Sequence, residues 1–472
     1  LQLLRQLVAG WQGNEPGRSL FLVGDPMQSI YGFRKADVRV FLNVREEGIG
    51  DIRLQALELK VNFRSSPDII DWVNRIMPTV FPARDDPARM RVSYTACEAS
   101  KDTRGRVYTH LCVAEAHQRS EEYRYAEAQQ IILIIRKLRS RYPHQSIAVL
   151  ARKRTPLTAL AECLREAVIP FEAVELEKLD QQSIIQDLIS LSGVLLQPMD
   201  TLAWLAVLRA PWCGLCLNDL TLLREDGRDI YDILCSTDFP EGLSHEGFES
   251  LSRLSAHLVP LVRMRERLEI SERVRRAWLR LRGPVCYDAH ELVHVEPYFE
   301  MLNTLESGPL PVNRARLLEA CAEHSSSSPA GTLKLMTFHK AKGLEFDHVI
   351  LTGLAARSGG DHRQSPLLFS VERDGKFLLA PSSLAGDSAP SKAAFIRQYQ
   401  KSIEAEESAR LLYVAVTRAQ RQLYLFATLK LSNNGTLGKP DADSLLSLAW
   451  ESLESDFSQT QNQSTVTSLS LI

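Results

Sequence analysis

Four short segments carry residue types whose order suits phosphate and nucleic-acid chemistry. In the first, Gly24-Asp25-Pro26-Met27-Gln28 is followed by Tyr31, Phe33 and Arg34. A side-chain amide both donates and accepts, so Gln28 can orient a water or a phosphate oxygen. Two rings beside a guanidinium suit single-stranded nucleic acid, the rings stacking on bases and the cation meeting phosphate. In the second, Asn62-Phe63-Arg64-Ser65-Ser66-Pro67 sets Arg64 at a strand end beside a helix start, a favourable place to meet an anion. In the third, Thr337, His339, Lys340 and Lys342 sit on a polar loop with a turn at Gly343, and Glu345 can accept hydroxyl hydrogens. The fourth runs from Glu407 to Ala419. Arg410, Val414 and Arg418 fall close to one helix face there, with Arg418 near the helix end, where a cation can stabilise a transferring phosphoryl group. Each segment alone also has a plainer reading: a turn with two core aromatics, a surface salt bridge, or a cation favoured by a helix C-terminal dipole.

Two other patterns resemble metal sites. His290-Glu291-Leu292-Val293-His294 spells H-E-x-x-H, which needs both imidazoles on one helical face and a third ligand. Glu296 follows too closely and Pro297 limits the helix, so a structural role is expected. Cys213 and Cys216 form the one C-x-x-C among eight scattered cysteines. With no second pair, reduced thiols are expected and no metal site is assigned.

The elements that must hold these residues alternate. Strands are expected over 19–23, 57–61, 107–113, 146–150 and 171–174, with helices over 1–7, 67–76, 121–139 and 155–166. Ser66 reads as the N-cap of the second helix and Pro67 as its first residue. Strands alternating with helices imply a parallel sheet covered on both faces. From 200 to 323 the pattern turns almost wholly helical, and Ser325–Ser328 with Pro329 and Gly331 reads as a linker. Strands resume over 333–337 and 347–351, and a helix over 405–419 leads into a strand over 422–427. A helical block is thus inserted into an α/β domain, and 455–472, rich in Ser, Thr and Gln, reads as a mobile tail.

With 472 residues, 44% hydrophobic and 24% charged, the chain is long enough for about three domains and too balanced for a fibre or a disordered polymer. No apolar run reaches the ~18 residues of a membrane span and no signal peptide is evident, so a cytoplasmic setting without membrane contact is expected. The formal charge of −2 neither favours nor excludes nucleic acid, since a basic groove can lie on a balanced protein.

Taken together and in order, the four segments resemble motifs III, IV, V and VI of the UvrD/Rep-like superfamily 1 DNA helicases, in the group related to the RecB and AddA motor subunits. The resemblance spans about 1–427. It implies an α/β fold: a RecA-like P-loop NTPase helicase domain with a parallel sheet, interrupted by an all-helical subdomain, the first RecA-like domain being mostly missing. Residues 1–45 would be the remnant of that first domain. Residues 46–198 and 329–430 would form the second domain, 199–328 the insertion, and 431–472 a short helix and tail.

The resemblance also implies roles. Gln28 would sense the γ-phosphate, Arg64 and Arg418 would contact it, Phe63 would stack on adenine and Glu345 would hold the ribose. Tyr31, Phe33, Arg34, Thr337 and His339 would lie along the DNA. Gly32 and Lys35 stand where the family often has Arg and Gly, which bears on fine DNA contacts. ATP and Mg²⁺ are the implied cofactors. Single-stranded or partly duplex DNA is the implied partner, with room for a nuclease or recombination subunit. No G-x-x-x-x-G-K-[ST] loop and no Asp-Glu pair occur in the chain, so the phosphate cradle and the Mg²⁺ ligands are expected upstream of Leu1. The expectation is the C-terminal portion of an ATP-dependent helicase of DNA repair or recombination, moving 3′ to 5′ and inactive as these residues alone. The alternative is a non-catalytic DNA-binding scaffold, or a helicase-derived subunit without its own ATP cradle.

Overall fold

The computed structural model describes residues 2–11, 18–32, 36–115, 117–173, 179–265, 267–323, 332–357, 368–373, 376–381, 392–432 and 436–457. It divides into two compact units, residues 1–170 with 332–472, and residues 171–331. The strands in chain order are β1 (Val61–Asn62), β2 (Glu98–Ala99), β3 (Arg106–Ala114), β4 (Ile147–Ala151), β5 (Glu172–Ala173), β6 (Leu333–Thr337), β7 (Phe346–Thr352), β8 (Leu368–Arg373), β9 (Lys376–Pro381) and β10 (Ala419–Lys430). The helices begin with α1 (Gln2–Leu7), α2 (Val38–Glu47), α3 (Pro67–Val80), α4 (Ser120–Arg141) and α5 (Arg154–Glu166). Those of the second unit are α6 (Ser183–Leu196), α7 (Thr201–Arg209), α8 (Leu217–Glu225), α9 (Ile230–Ser236), α10 (His245–Arg263), α11 (Ile270–Arg280), α12 (Ala289–Leu292), α13 (Val295–Glu306) and α14 (Arg314–Glu323). The short α15 (Phe338–Ala341) and the long α16 (Lys392–Val416) complete the first unit.

The first unit is built on a parallel sheet in the order β3-β10-β7-β4-β6. Ile147-Ala148-Val149-Leu150-Ala151 is buried at every position, as a continuous apolar run must be when strands flank it and helices cover both faces. Helices α3 and α4 pack on β3 and β10, and α5 packs on β4 and β6. Because the strands are parallel, the sheet has one edge of amino ends and one of carboxyl ends, and each gathers a different set of functional residues.

The structure departs from the sequence expectations in several places. Residues 19–23 form no ladder, and Phe21 and Val23 are 80% and 76% exposed. An apolar run becomes a buried strand only where a neighbour supplies backbone partners, and no described strand lies beside this one. The strand expected over 57–61 is reduced to β1, which pairs with β2 and leaves Leu57 and Leu59 in solvent. Ser66 stands at the N-cap of α3 but makes no capping bond; its buried Oγ has no partner. The helix expected over 405–419 begins at Lys392, and the turn that ends it frees Arg418 and Ala419 to lead into β10.

The second compact unit, 171–331, takes in residues ahead of the expected insertion 199–328. The reason is α6, which is apolar on nearly every side and buries Ile184, Leu188, Leu191 and Leu195 with Trp204, Tyr298 and Phe299. Within that core the Tyr298 hydroxyl lies 2.6 Å from Ser192 Oγ. The H-E-x-x-H run is broken: α12 stops at Leu292, and His294 stands at the N-cap of α13. Glu291 takes part in a local cap instead, accepting from Asp288 N–H while Asp288 accepts from its own, and it also accepts from Ser183 Oγ at 2.8 Å. Cys213 is buried, which pushes its thiol up, and Cys216 accepts from Asp219 N–H at the start of α8. The expected linker at Ser325–Gly331 and the tail from 458 onward lie outside the described residues, while 450–457 is helical. No described helix is long and apolar enough to cross a membrane.

One aromatic ladder fixes the pairing of β3 with β10. Tyr108 stacks on Tyr424 at 4.7 Å, and His110 stacks on Phe426 at 4.6 Å. Burial pushes the His110 imidazole down to about 4, and its Nε2 has no partner. The unfolded chain takes up that proton near pH 6.5 and the folded chain only near 4. Between those values the unfolded state binds more protons, so folding stability falls as the pH drops, by up to ~3 kcal/mol below both. His110→Phe should therefore flatten the loss of urea stability between pH 6.5 and 4. An unchanged pH dependence would contradict the assignment.

Candidate functional site

Four of the sequence-predicted residues converge at the amino ends of β7 and β10. Glu345 immediately precedes β7, and Arg418 immediately precedes β10. Arg64 is carried there by the turn before α3, which Asn62 shapes by accepting from Arg64 N–H at 2.8 Å and Ser65 N–H at 2.9 Å. Ser65 Oγ donates to Ala419 O at 2.6 Å and Ser66 N–H to Gln420 O at 2.9 Å, tying that turn to the start of β10. Arg64 Nε then lies 2.9 Å from Glu345 Oε2 and its Nη1 3.3 Å from Thr417 O. The other Glu345 oxygen accepts from Gln420 Nε2 at 2.8 Å. Phe63, next in sequence to Arg64, is 73% exposed.

Arg418 is 1% exposed, and its guanidinium is held on every side. Nε donates to Val414 O at 2.8 Å, Nη1 to Leu344 O at 3.2 Å, and Nη2 to Thr417 Oγ1 at 3.1 Å, with Gln28 Oε1 at 3.5 Å. Burial, with Arg64 nearby, pushes Arg418 down to about 10, so it remains a cation at neutral pH. Gln28 is aimed by its own turn: Asp25 accepts from Gln28 Nε2 at 2.6 Å and from Met27 N–H at 2.9 Å.

The segment that carries Gln28 runs along α16. Arg410 Nε donates to Ser29 O at 2.7 Å and its Nη1 to Met90 O at 3.0 Å, and Glu407 Oε1 accepts from Gly32 N–H at 2.9 Å. The Tyr31 hydroxyl donates to His339 O at 3.4 Å, and Lys342 Nζ lies 4.7 Å from the Tyr31 ring centre. Phe33 and Arg34 lie outside the described residues.

His339 and Thr337 belong to the opposite edge of the sheet. Thr337 ends β6 in register with Ala151 at the end of β4, so Arg152 emerges beside them. Burial pushes His339 below its usual value, with Glu407 opposing and Arg152 reinforcing that shift. A cavity of about 490 Å³ opens at the carboxyl ends of β4, β7 and β10, with Arg152, Lys153, Arg357, Lys430 and Lys439 in its wall. Sequence reasoning passed over Arg152 and Lys153. The available signal was Arg152-Lys153-Arg154, three cations directly after a buried strand and at a helix start, where open parallel sheets take ligands. It also passed over Glu407 as a brace.

Among the described residues no group of three His, Cys, Asp or Glu side chains is placed to hold a metal ion. No step is assigned to a metal ion.

The UvrD-like helicase C-terminal domain matches residues 57–246 and 300–430, more than half of the chain. The chain belongs to the UvrD-like helicase family. The UvrD/REP helicase N-terminal domain matches residues 1–48, the stretch that carries Gln28. Within the family the chain is 25% identical to an ATP-dependent helicase/nuclease subunit of Anoxybacillus flavithermus, over 88% of this chain and 38% of that protein. It is equally similar to exonuclease/helicase subunit RexA of Lactococcus lactis, over the same shares. It is 23% identical to ATP-dependent DNA helicase PcrA of Staphylococcus epidermidis, over 86% of this chain and 51% of that protein. The chain thus spans between about a third and a half of the length of these relatives.

The brace between α16 and the segment 25–32 is open to direct measurement. Glu407→Ala should speed hydrogen exchange at the Gly32 amide by about tenfold, the value of one charge-assisted bond of ~1.5 kcal/mol. Exchange at Gly32 unchanged from the parent would remove Glu407 from that role.

Proposed function

We propose that this chain supplies the second RecA-like half of an ATP-driven DNA helicase motor, with an inserted helical unit. What carries the reading is the convergence of Gln28, Arg64, Glu345 and Arg418 from four separated segments, with the exposed Phe63 next in sequence to Arg64. That donor set suits a nucleoside triphosphate: a ring for the base, a carboxylate for the ribose hydroxyls, and two guanidiniums for the γ-phosphate. As charge develops on the transferring phosphoryl group, Arg64 and Arg418 neutralise it. Gln28, whose 3.5 Å contact is the longest that Arg418 makes, reports the change to the segment beside it.

The DNA track lies at the carboxyl edge, where Thr337, His339, Arg152 and Lys153 meet phosphates and Tyr31 lends a ring to a base. By likeness to its relatives the motor moves 3′ to 5′ and serves DNA repair or recombination beside a partner subunit. The phosphate cradle and the carboxylates for Mg²⁺ come from residues other than these 472, since neither sequence pattern occurs in them. That same absence favours the second reading, a DNA-binding scaffold or a subunit that borrows its cradle. The presence together of Gln28, Arg64, Glu345 and Arg418, three for the γ-phosphate and one for the ribose, weighs against it.

Two measurements separate these readings. The 472-residue chain alone should show no DNA-stimulated ATP hydrolysis; turnover would overturn the division of labour proposed here. Joined to a cradle-bearing partner or extension, Arg64→Ala or Arg418→Ala should lower turnover by ~10³ or more while DNA affinity is largely kept. Normal turnover in both variants would leave the scaffold reading standing. Arg152→Ala should instead weaken DNA binding on all sequences alike and reduce the salt slope by about one.

A further inference from the structure

A second concentration of cationic and aromatic side chains lies at the amino ends of β3, β7 and β10. A cavity of about 310 Å³ is lined there by Arg104, Arg106, Arg141 and Arg421 with Tyr108 and Tyr142. None of Phe63, Arg64, Glu345 or Arg418 lines it. The four guanidiniums come from three separate stretches of chain, so their approach is a product of the fold rather than of one basic run. Asp347 faces one of them, accepting from Arg421 Nε at 3.2 Å, while its other oxygen is taken by Ser146 N–H and Oγ at 3.0 Å. Among the described residues Arg104, Arg106 and Arg141 are in no ion pair.

Two of those cations rest on rings instead. The Arg106 guanidinium lies 5.1 Å from the Tyr108 ring centre, and Arg141 lies 5.4 Å from that of Tyr142. Both rings are backed from beneath: Tyr108 by Tyr424, and Tyr142 by His348 at 5.3 Å. His348 is 1% exposed. Its Nε2 lies 2.7 Å from Gln145 Oε1, and its buried Nδ1 has no hydrogen-bond partner of good geometry. The pocket therefore combines two cations laid over backed rings, four guanidiniums in all, and one carboxylate paired with Arg421.

We infer that this pocket binds a nucleotide unit, a planar base carrying a phosphate. The guanidiniums offer the forked donors that match phosphate oxygens, and when the exposed Arg106 and Arg141 side chains turn to a phosphate they leave the ring faces they cover to a stacking base. The volume sits at the low end for small-ligand sites, which fits one such unit and not an extended duplex. A carboxylate-rich peptide would satisfy the cations but would leave the two ring faces unused. The same chemistry has two sources, a free nucleotide and a nucleotide within a single strand.

Photo-crosslinking to the 472-residue chain tests this and tells the sources apart. The two probes are an oligothymidylate carrying 5-iodouracil and 8-azido-AMP, with crosslinks mapped by mass spectrometry. The expected result is adducts on Tyr108 or Tyr142. These should fall about tenfold or more in an Arg104→Gln, Arg106→Gln double variant, whose exposed positions leave the core intact, and persist in Arg64→Ala. Adducts from the oligonucleotide alone identify a strand as the source, and adducts from azido-AMP alone identify a free nucleotide. Absence of adducts at both tyrosines with both probes overturns the proposal. So does equal labelling in the double variant, or displacement of neither probe by unlabelled nucleotide while an oligoglutamate peptide displaces both.

Discussion

A single buried cation organises the first unit. Arg418 is removed from water almost completely, and a guanidinium in that position is tolerated only when its donors are met by fixed acceptors. The acceptors come from three places: the last turn of α16, the loop before β7, and the segment holding Gln28. Each of these is thereby bound to the position of one side chain. Removing the cation would leave the Val414 and Leu344 carbonyls short of donors, and adding a second charge nearby would be felt by all three elements at once. Arg64 is that second charge, and its pairing with Glu345 is what permits two guanidiniums to share the amino edge of the sheet.

From this anchor the helix α16 acts as a ruler. Arg418 lies just past its end, and Arg410 and Glu407 lie eight and eleven residues earlier, about 12 and 16 Å along a helix rising ~1.5 Å per residue. Over the same length the segment 28–32 is held at three points, through Gln28, Ser29 O and Gly32 N–H. A parallel sheet imposes a matching constraint. Residues 338–345 must carry the chain from the carboxyl end of β6 to the amino end of β7, so Thr337 and His339 stand at one edge and Glu345 at the other. Two short spans therefore link the opposite edges of the sheet, and they touch each other where Tyr31 meets His339.

How much of this could be read from the sequence depends on what kind of information each element needs. Strand β4 is a continuous apolar run bounded by polar turns, and its burial on both faces follows from composition alone, while β6 is interrupted by Lys334 and β7 opens with Asp347 and His348 after Phe346. Gln28, Arg64, Glu345 and Arg418 were legible because they recur in a familiar order, not because any one of them is distinctive. Residues 19–23 look like the same kind of strand as β4, yet they lie exposed, because a strand is defined by its neighbours and the run itself carries no record of them. The early onset of the helical unit at 171 was hidden for a related reason. An apolar helix such as α6 and a buried strand share their composition, and only the packing around Trp204 and Tyr298 decides between them. Arg410 falls on a helix face with Val414 and Arg418, and Glu407 opens the same segment, but their acceptors and donors are backbone groups of Ser29, Met90 and Gly32, which leave no side-chain signature.

The arginines of this unit divide by whether the fold has already spent their donors. Arg410 is buried with its donors on backbone carbonyls, and desolvation disfavours its charge without a ligand to compensate, which marks it as a brace. Arg64 and Arg418 are intermediate: bound in the closed network, each through at least one contact longer than 3.2 Å that a stronger acceptor such as a phosphate oxygen would displace. Arg104, Arg106 and Arg141 are exposed, Arg106 and Arg141 with rings in place of acceptors, so an arriving anion would break no ion pair to reach them. The same residue type is thus graded from scaffold, through switchable contact, to open receptor by one variable, the number and quality of acceptors the chain provides. The grading also separates the two sites along the amino edge. On the proposed reading a nucleotide at Arg64 and Arg418 would compete with existing bonds, and the difference in energy would be available to move Gln28 and the segment behind it. At Arg104 and Arg106 nothing competes, so occupancy there follows ligand concentration without a comparable structural response.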